Sequence, residues 1–107
     1  MWICTPTGFY SIVSKDCAAD ELLVRARRPD DIQRLWPDAV VRETGGTDYR
    51  YRAVLPRAEV AAAIAEAVSG ISYGNFKSAV VDDKLHDSYL DVWHSMAKVQ
   101  PKPPYAG

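Results

Sequence analysis

Four arginines and one carboxylate–imidazole trio are the residues of this sequence best placed to do chemistry. Arg25 and Arg27 lie two apart in one β-rich run, and Arg50 and Arg52 two apart in another. Side chains alternate across a strand, so each arginine pair shares one face, with Tyr49, Tyr51, Ala53 and Leu55 on the other face of the second run. If the apolar faces pack on helices, the four arginines line the opposite, open face, joined by Phe9 or Tyr10 according to register. Arginine beside aromatics on an open sheet can hold phosphate or single-stranded nucleic acid by charge and stacking. It can equally serve a protein partner, because Arg and Tyr are enriched where proteins meet. The plainest account of the same residues is a solvated face whose arginines pair with carboxylates such as Glu21 and Glu43.

Asp87, Asp91 and His94 stand at i, i+4 and i+7, which brings them to one polar face of a helix. Two carboxylates and an imidazole could hold a divalent cation or supply acid–base groups. One helix cannot complete such a site, no H-E-x-x-H pattern accompanies it, and the outer face of an amphipathic helix explains the same residues. Tyr73, Asn75 and Phe76 fall in a turn, where the aromatics either staple the turn to the core or stand out as a secondary anchor for a partner. Gly45-Gly46-Thr47 lacks the spacing and the lysine of a phosphate loop and reads as a hairpin turn. Cys4 and Cys17 form no C-x-x-C pair and have no clustered histidine, so neither zinc nor thioredoxin-like chemistry is indicated, and no cofactor or metal motif is present.

Composition bounds these readings. The 107 residues are 48% hydrophobic and 25% charged, with 13 Lys+Arg against 14 Asp+Glu and a net charge of −1. A chain of this length buries roughly two-thirds of its unfolded surface and needs no staple. Near-neutrality excludes a nucleic-acid binder acting by bulk attraction. The neutrality is uneven: eight of the 13 basic residues are arginines between Arg25 and Arg57, while Asp82, Asp83, Asp87 and Asp91 gather near the last helix. No apolar run approaches the ~18 residues of a membrane span, and Met1-Trp2-Ile3-Cys4 lacks the basic start of a secretory signal, so a cytoplasmic protein is expected.

The elements that must position these residues follow from periodicity. Residues 8–14 and 21–28 read as strands. Pro29-Asp30-Asp31 opens a short helix with Ile32, Leu35 and Trp36 on its buried face, ended by Pro37. Residues 39–44 and 49–55 form a second hairpin about Gly45–Asp48. Pro56 opens a helix closed by Gly70, with Val60, Ile64 and Val68 on one side. Asn75 caps a short helix through Val81, and Asp82 and Asp83 cap a longer one to about Gln100. Leu85, Tyr89, Val92, Trp93, Met96 and Val99 form its apolar stripe. Residues 101–107 are a proline-rich, extended tail. The order ββαββα predicts an α+β domain over residues 1–100. Its four-stranded antiparallel sheet would have the order of a permuted ferredoxin-like fold, with one or two extra C-terminal helices.

Five segments in this order, Thr7-Gly8-Phe9-Tyr10-Ser11-Ile12-Val13, Val24-Arg25-Ala26-Arg27, Asp48-Tyr49-Arg50-Tyr51-Arg52, Ile71-Ser72-Tyr73-Gly74-Asn75-Phe76-Lys77 and His86-Asp87-Ser88-Tyr89-Leu90-Asp91-Val92-Trp93, resemble a family of small uncharacterised bacterial proteins. The resemblance implies a cytoplasmic, single-domain protein and brings no catalytic or binding residue. The expectation is a non-enzymatic binding protein whose partner is a protein. Arg25, Arg27, Arg50 and Arg52 would form its contact face, and Tyr73, Asn75 and Phe76 a secondary surface. The alternatives are single-stranded nucleic acid on the same face, a phage-type inhibitor of a host complex, or a small metal-dependent hydrolase using Asp87, Asp91 and His94. An unpaired sheet edge would point to a homodimer.

Overall fold

Alternating apolar residues in three segments produce the centre of the sheet. The computed structural model describes residues 1–102. Its strands are β1 (Trp2–Thr5), β2 (Gly8–Val13), β3 (Glu21–Ala26), β4 (Arg42–Glu43) and β5 (Tyr51–Pro56). Its helices are α1 (Asp31–Leu35), α2 (Arg57–Ser69), α3 (Phe76–Ala79) and α4 (Asp83–Ala97). The strands form one sheet in the order β1-β2-β3-β5-β4, with every neighbouring pair antiparallel. The fold is therefore α+β, as the sequence indicates.

The sheet has five strands rather than the expected four. The additional one, β1, runs back along β2 because Thr5 builds the turn between them. Its hydroxyl oxygen accepts from the Gly8 N–H at 3.0 Å and from the Thr7 N–H at 3.3 Å. Strand β4 is shorter than the expected 39–44, because the chain leaving α1 turns first, with the Ala39 N–H donating to the Trp36 carbonyl at 3.0 Å. Helix α4 stops at Ala97 rather than near Gln100, and of the predicted tail residues 103–107 lie outside the described residues.

One face of the sheet is closed by α1 and α2. Tyr10, Ile12, Val24, Ala26, Ala53 and Leu55 meet Ile32, Trp36 and Val60 in a single apolar cluster. The Tyr10 and Trp36 rings meet edge to face at 5.7 Å. The Trp36 Nε1–H donates to the Glu59 carbonyl at 3.1 Å, which ties α1 to α2. The Tyr10 hydroxyl donates to the Asp31 carbonyl at 2.6 Å, and the Asp31 carboxylate accepts from the Phe9 N–H beyond the end of β3. Gly8 is required there: a Cβ would stand 2.8 Å from the Tyr10 Oη and 3.1 Å from the Asp31 Cγ.

The other face is covered only in part. Leu85 and Tyr89 of α4, with Val80 and the half-buried Phe76, pack on Phe9. The Tyr89 hydroxyl donates to the Gly8 carbonyl at 2.6 Å. Both expected helix caps form, Asn75 of α3 accepting from the Ser78 N–H and Asp82 of α4 from the Leu85 N–H. Past Tyr89, α4 leaves the sheet. The molecule measures 51 × 27 × 26 Å with a radius of gyration of 16.0 Å, against about 13 Å for a compact chain of this length.

Candidate partner-binding surface

The register of the strands places three arginines in a line. Ser11 stands opposite Arg25, Arg25 opposite Arg52, and Arg52 opposite Arg42, so Ser11, Arg25, Arg52 and Arg42 form a row across β2, β3, β5 and β4. Ser11 neighbours Phe9 at two residues' remove, so the row lies on the face that α4 only partly covers. Directly opposite side chains are about 4.5–5.5 Å apart at Cβ, and like charges there destabilise the pair.

Tyr49 organises this row. Its ring is 4% exposed, with the Arg25 Cζ 4.6 Å and the Arg27 Cζ 4.5 Å from its centroid, both within cation–π range. Arg25 also donates from Nη2 to the Ser11 Oγ at 2.7 Å, while its buried Nε has no partner. Arg27 Nε donates to the Asp48 carbonyl at 3.1 Å and Arg52 Nε to the Tyr49 carbonyl at 3.1 Å. Arg52 meets the Asp48 carboxylate at 3.6 Å. Arg25, Arg27 and Arg52 thus come together as the sequence suggests, and Arg42 joins them unforeseen. Arg50 does not join them: it turns to Glu43 at 3.5 Å. Tyr51 packs on the helix side, but Tyr49 sits with the arginines. Strand β5 begins only at Tyr51, and the Thr44 and Thr47 hydroxyls tie the preceding turn at Tyr49 and Arg50, so the alternation does not extend back to Tyr49.

Beside Arg27 the face deepens into a cleft of about 410 Å³. Its apolar floor is Phe9, Leu85, Tyr89 and Val92, and Arg27, Arg28 and Lys84 bring positive charge to its wall. Arg28 is spent on Asp31 at 3.3 Å and Asp82 at 3.4 Å, whereas Arg27 and Lys84 make no ion pair among the described residues. Burial pushes the Tyr10 and Tyr89 phenols well above their ordinary range, and the nearby Asp31 charge adds to the rise at both. Burial also raises the Cys4 thiol.

The other sequence candidates have local work. Asn75 is occupied as the α3 cap. Phe76 lies between Tyr73 (5.9 Å) and Tyr89 (5.4 Å), so the turn is stapled to the second apolar cluster. Asp87, Asp91 and His94 are exposed on α4, with Asp87 3.3 Å from the His86 Nδ1 and the His94 ring against Trp93. Among the described residues, no three His, Cys, Asp or Glu side chains gather into a metal-holding group. Both cysteines are free thiols, and no helix among the described residues is long and apolar enough to cross a membrane. Sequence reasoning missed the exposure at the end of α4: Trp93 and Met96 in its last turns and Val99 just beyond it, expected in one apolar stripe, are 53%, 59% and 71% exposed. No protein-family model matches the chain, and neither a curated protein nor a solved structure shows significant similarity to it.

Proposed function

We propose that this chain is a non-enzymatic protein-binding module whose partner presents an acidic segment with an apolar anchor. The observation that carries this reading is the arginine row. Arg25, Arg52 and Arg42 face one another directly, and within the row only Arg52 has a carboxylate at ion-pair distance among the described residues. Such a line of like charges costs stability, and an acidic partner laid along it removes that cost. The cleft beside Arg27 is large enough for an aromatic or leucine-sized anchor, the element that supplies most of an interface's energy.

A protein suits the surface better than single-stranded nucleic acid. Base stacking needs open ring faces, and Tyr49 has its ring beneath two guanidinium groups. The permuted ferredoxin-like order belongs to the same proposal; the central run β2-β3-β5-β4 supports it, with β1 as an added edge.

The reading is tested by fluorescence anisotropy with two labelled probes, a peptide of repeated Glu-Glu-Phe-Glu and an oligothymidylate. The peptide is expected to bind, and the double variant Arg27→Glu/Arg42→Glu to weaken it at least about tenfold while keeping the far-ultraviolet dichroism of the folded chain. Equal binding by the double variant, or binding of the oligothymidylate alone, overturns it.

A further inference from the structure

Among the described residues, the outermost strand at the other end of the sheet, β1, is paired on one side alone. The Met1 amino group donates to the Ile12 carbonyl and the Ile12 N–H to the Met1 carbonyl, each at 2.8 Å. In an antiparallel ladder such doubly bonded pairs recur every second residue, so Ile3 and Thr5 bond inward to β2 while Trp2 and Cys4 point their N–H and C=O groups outward. Natural edge strands are guarded by charge, proline or extreme shortness. Strand β4 has such guards, being two residues long and both charged; Trp2-Ile3-Cys4-Thr5 has none.

A concave surface joins this edge to the overhanging half of α4. Cys4 of β1 shares one concave surface with Trp93 and Met96 of α4, and Lys77 caps the Trp93 ring at 3.9 Å. Trp2 is 74% exposed on the same side of the sheet. Charge along this segment is uneven as well: Asp82, Asp83, Asp87 and Asp91 outnumber Lys84 and His86 in its earlier part, while His94 in the last turn of α4 and Lys98 and Lys102 beyond it face no carboxylate in the sequence that follows Asp91.

We propose that a second copy of the chain covers this surface. Strand β1 pairs antiparallel with the partner's β1 about a two-fold axis, and the outer half of α4 lies antiparallel against its counterpart. Two features select a second copy over any other partner. An antiparallel strand edge is self-complementary under a two-fold axis. So is a helix with net negative charge in its earlier part and basic residues at and just past its end, because antiparallel pairing sets Asp87 and Asp91 beside the partner's basic end. The dimer uses the end of the sheet opposite β4 and does not depend on the acidic-partner reading.

Light scattering on the full chain after size exclusion tests this. At micromolar concentration the expected mass is twice the 11.9 kDa of the chain. Trp93→Asp replaces an exposed ring, and Cys4→Pro deletes an outward N–H without touching the ladder to β2; each is expected to give a monomer with unchanged far-ultraviolet dichroism. Should either variant fail to fold, a charge exchange decides. Asp87→Lys/Asp91→Lys and His94→Glu/Lys98→Glu are each expected to dimerise at least about tenfold more weakly alone, and to recover when mixed. A monomeric wild-type chain, dimers that survive both single substitutions, or a mixture that gains nothing overturns the proposal.

Discussion

The two faces of the sheet are built on different principles. Under α1 and α2 the face is closed by one apolar cluster, in which Tyr10, Val24, Ala26 and Ile32 are fully buried. The opposite face is divided: α4 covers Phe9, and beyond it the surface is arginine laid over Tyr49. Burial on the first face holds the sheet and leaves the second free to carry groups that do nothing for stability. The costly features collect there, including the like-charge row and the unpartnered Arg25 Nε.

The most forceful way to separate the faces is to cut an aromatic from each. Tyr10→Ala removes a fully buried ring and its hydrogen bond to Asp31, and it is expected to cost about 3–5 kcal/mol in urea unfolding, comparable to the whole stability of a marginal domain. Tyr89→Phe on the second face keeps the ring and deletes only the bond to the Gly8 carbonyl. Its expected cost is about 0.5–1.5 kcal/mol, the net worth of one hydrogen bond, because the Thr5 hydroxyl still donates to the same carbonyl at 3.1 Å. If Tyr89→Phe proved the more damaging, α4 rather than α1 and α2 would be the principal clamp.

Alkaline titration sharpens the same comparison, since burial raises one phenol on each face, Tyr10 on the first and Tyr89 on the second. Both Tyr10 and Tyr89 have folded-state pKa values raised above the ordinary ~10. As pH climbs past that value the unfolded chain loses these protons first, so the stability they contribute is complete below about pH 10 and drains away above it. Unfolding midpoints should therefore fall above about pH 10, and Tyr10→Phe and Tyr89→Phe should each flatten the fall. A wild-type midpoint unchanged through that range would show that neither phenol is held protonated by the fold.

The closed face was far more legible in the sequence than the divided one. Strands β2, β3 and β5 are short runs rich in apolar and β-branched residues and helix α2 carries a four-residue apolar period, and such patterns mark elements with a buried side. Strand β1 has only four residues before Pro6, too few for alternation to register. The α4 stripe marks a helix that needs an apolar partner but does not say what surface supplies it, so the exposure of Trp93, Met96 and Val99 was not legible in it. Arg42 was invisible as a member of the row because its place depends on the register of β4 against β5, a tertiary fact. Tyr49 was assigned to the wrong face because alternation was carried two residues past the start of β5.

The smallest expected effect bears most directly on why the second face is as it is. Arg42 stands directly opposite Arg52, is exposed, and makes no ion pair among the described residues, whereas Arg52 has Asp48 and the Tyr49 carbonyl. Arg42→Thr removes one like charge from the row and adds a β-branched residue suited to a strand. It should stabilise the chain by about 0.2–1 kcal/mol, the size of a cross-strand pair. The share owed to repulsion should shrink in roughly 1 M salt, where screening acts over about 3 Å, while any gain from β-propensity persists. The variant should also bind the acidic peptide more weakly, so stability and binding move in opposite directions. If Arg42→Thr instead lowered stability, the row would be a net support of the sheet, and relief of repulsion could not be what draws an acidic partner to it.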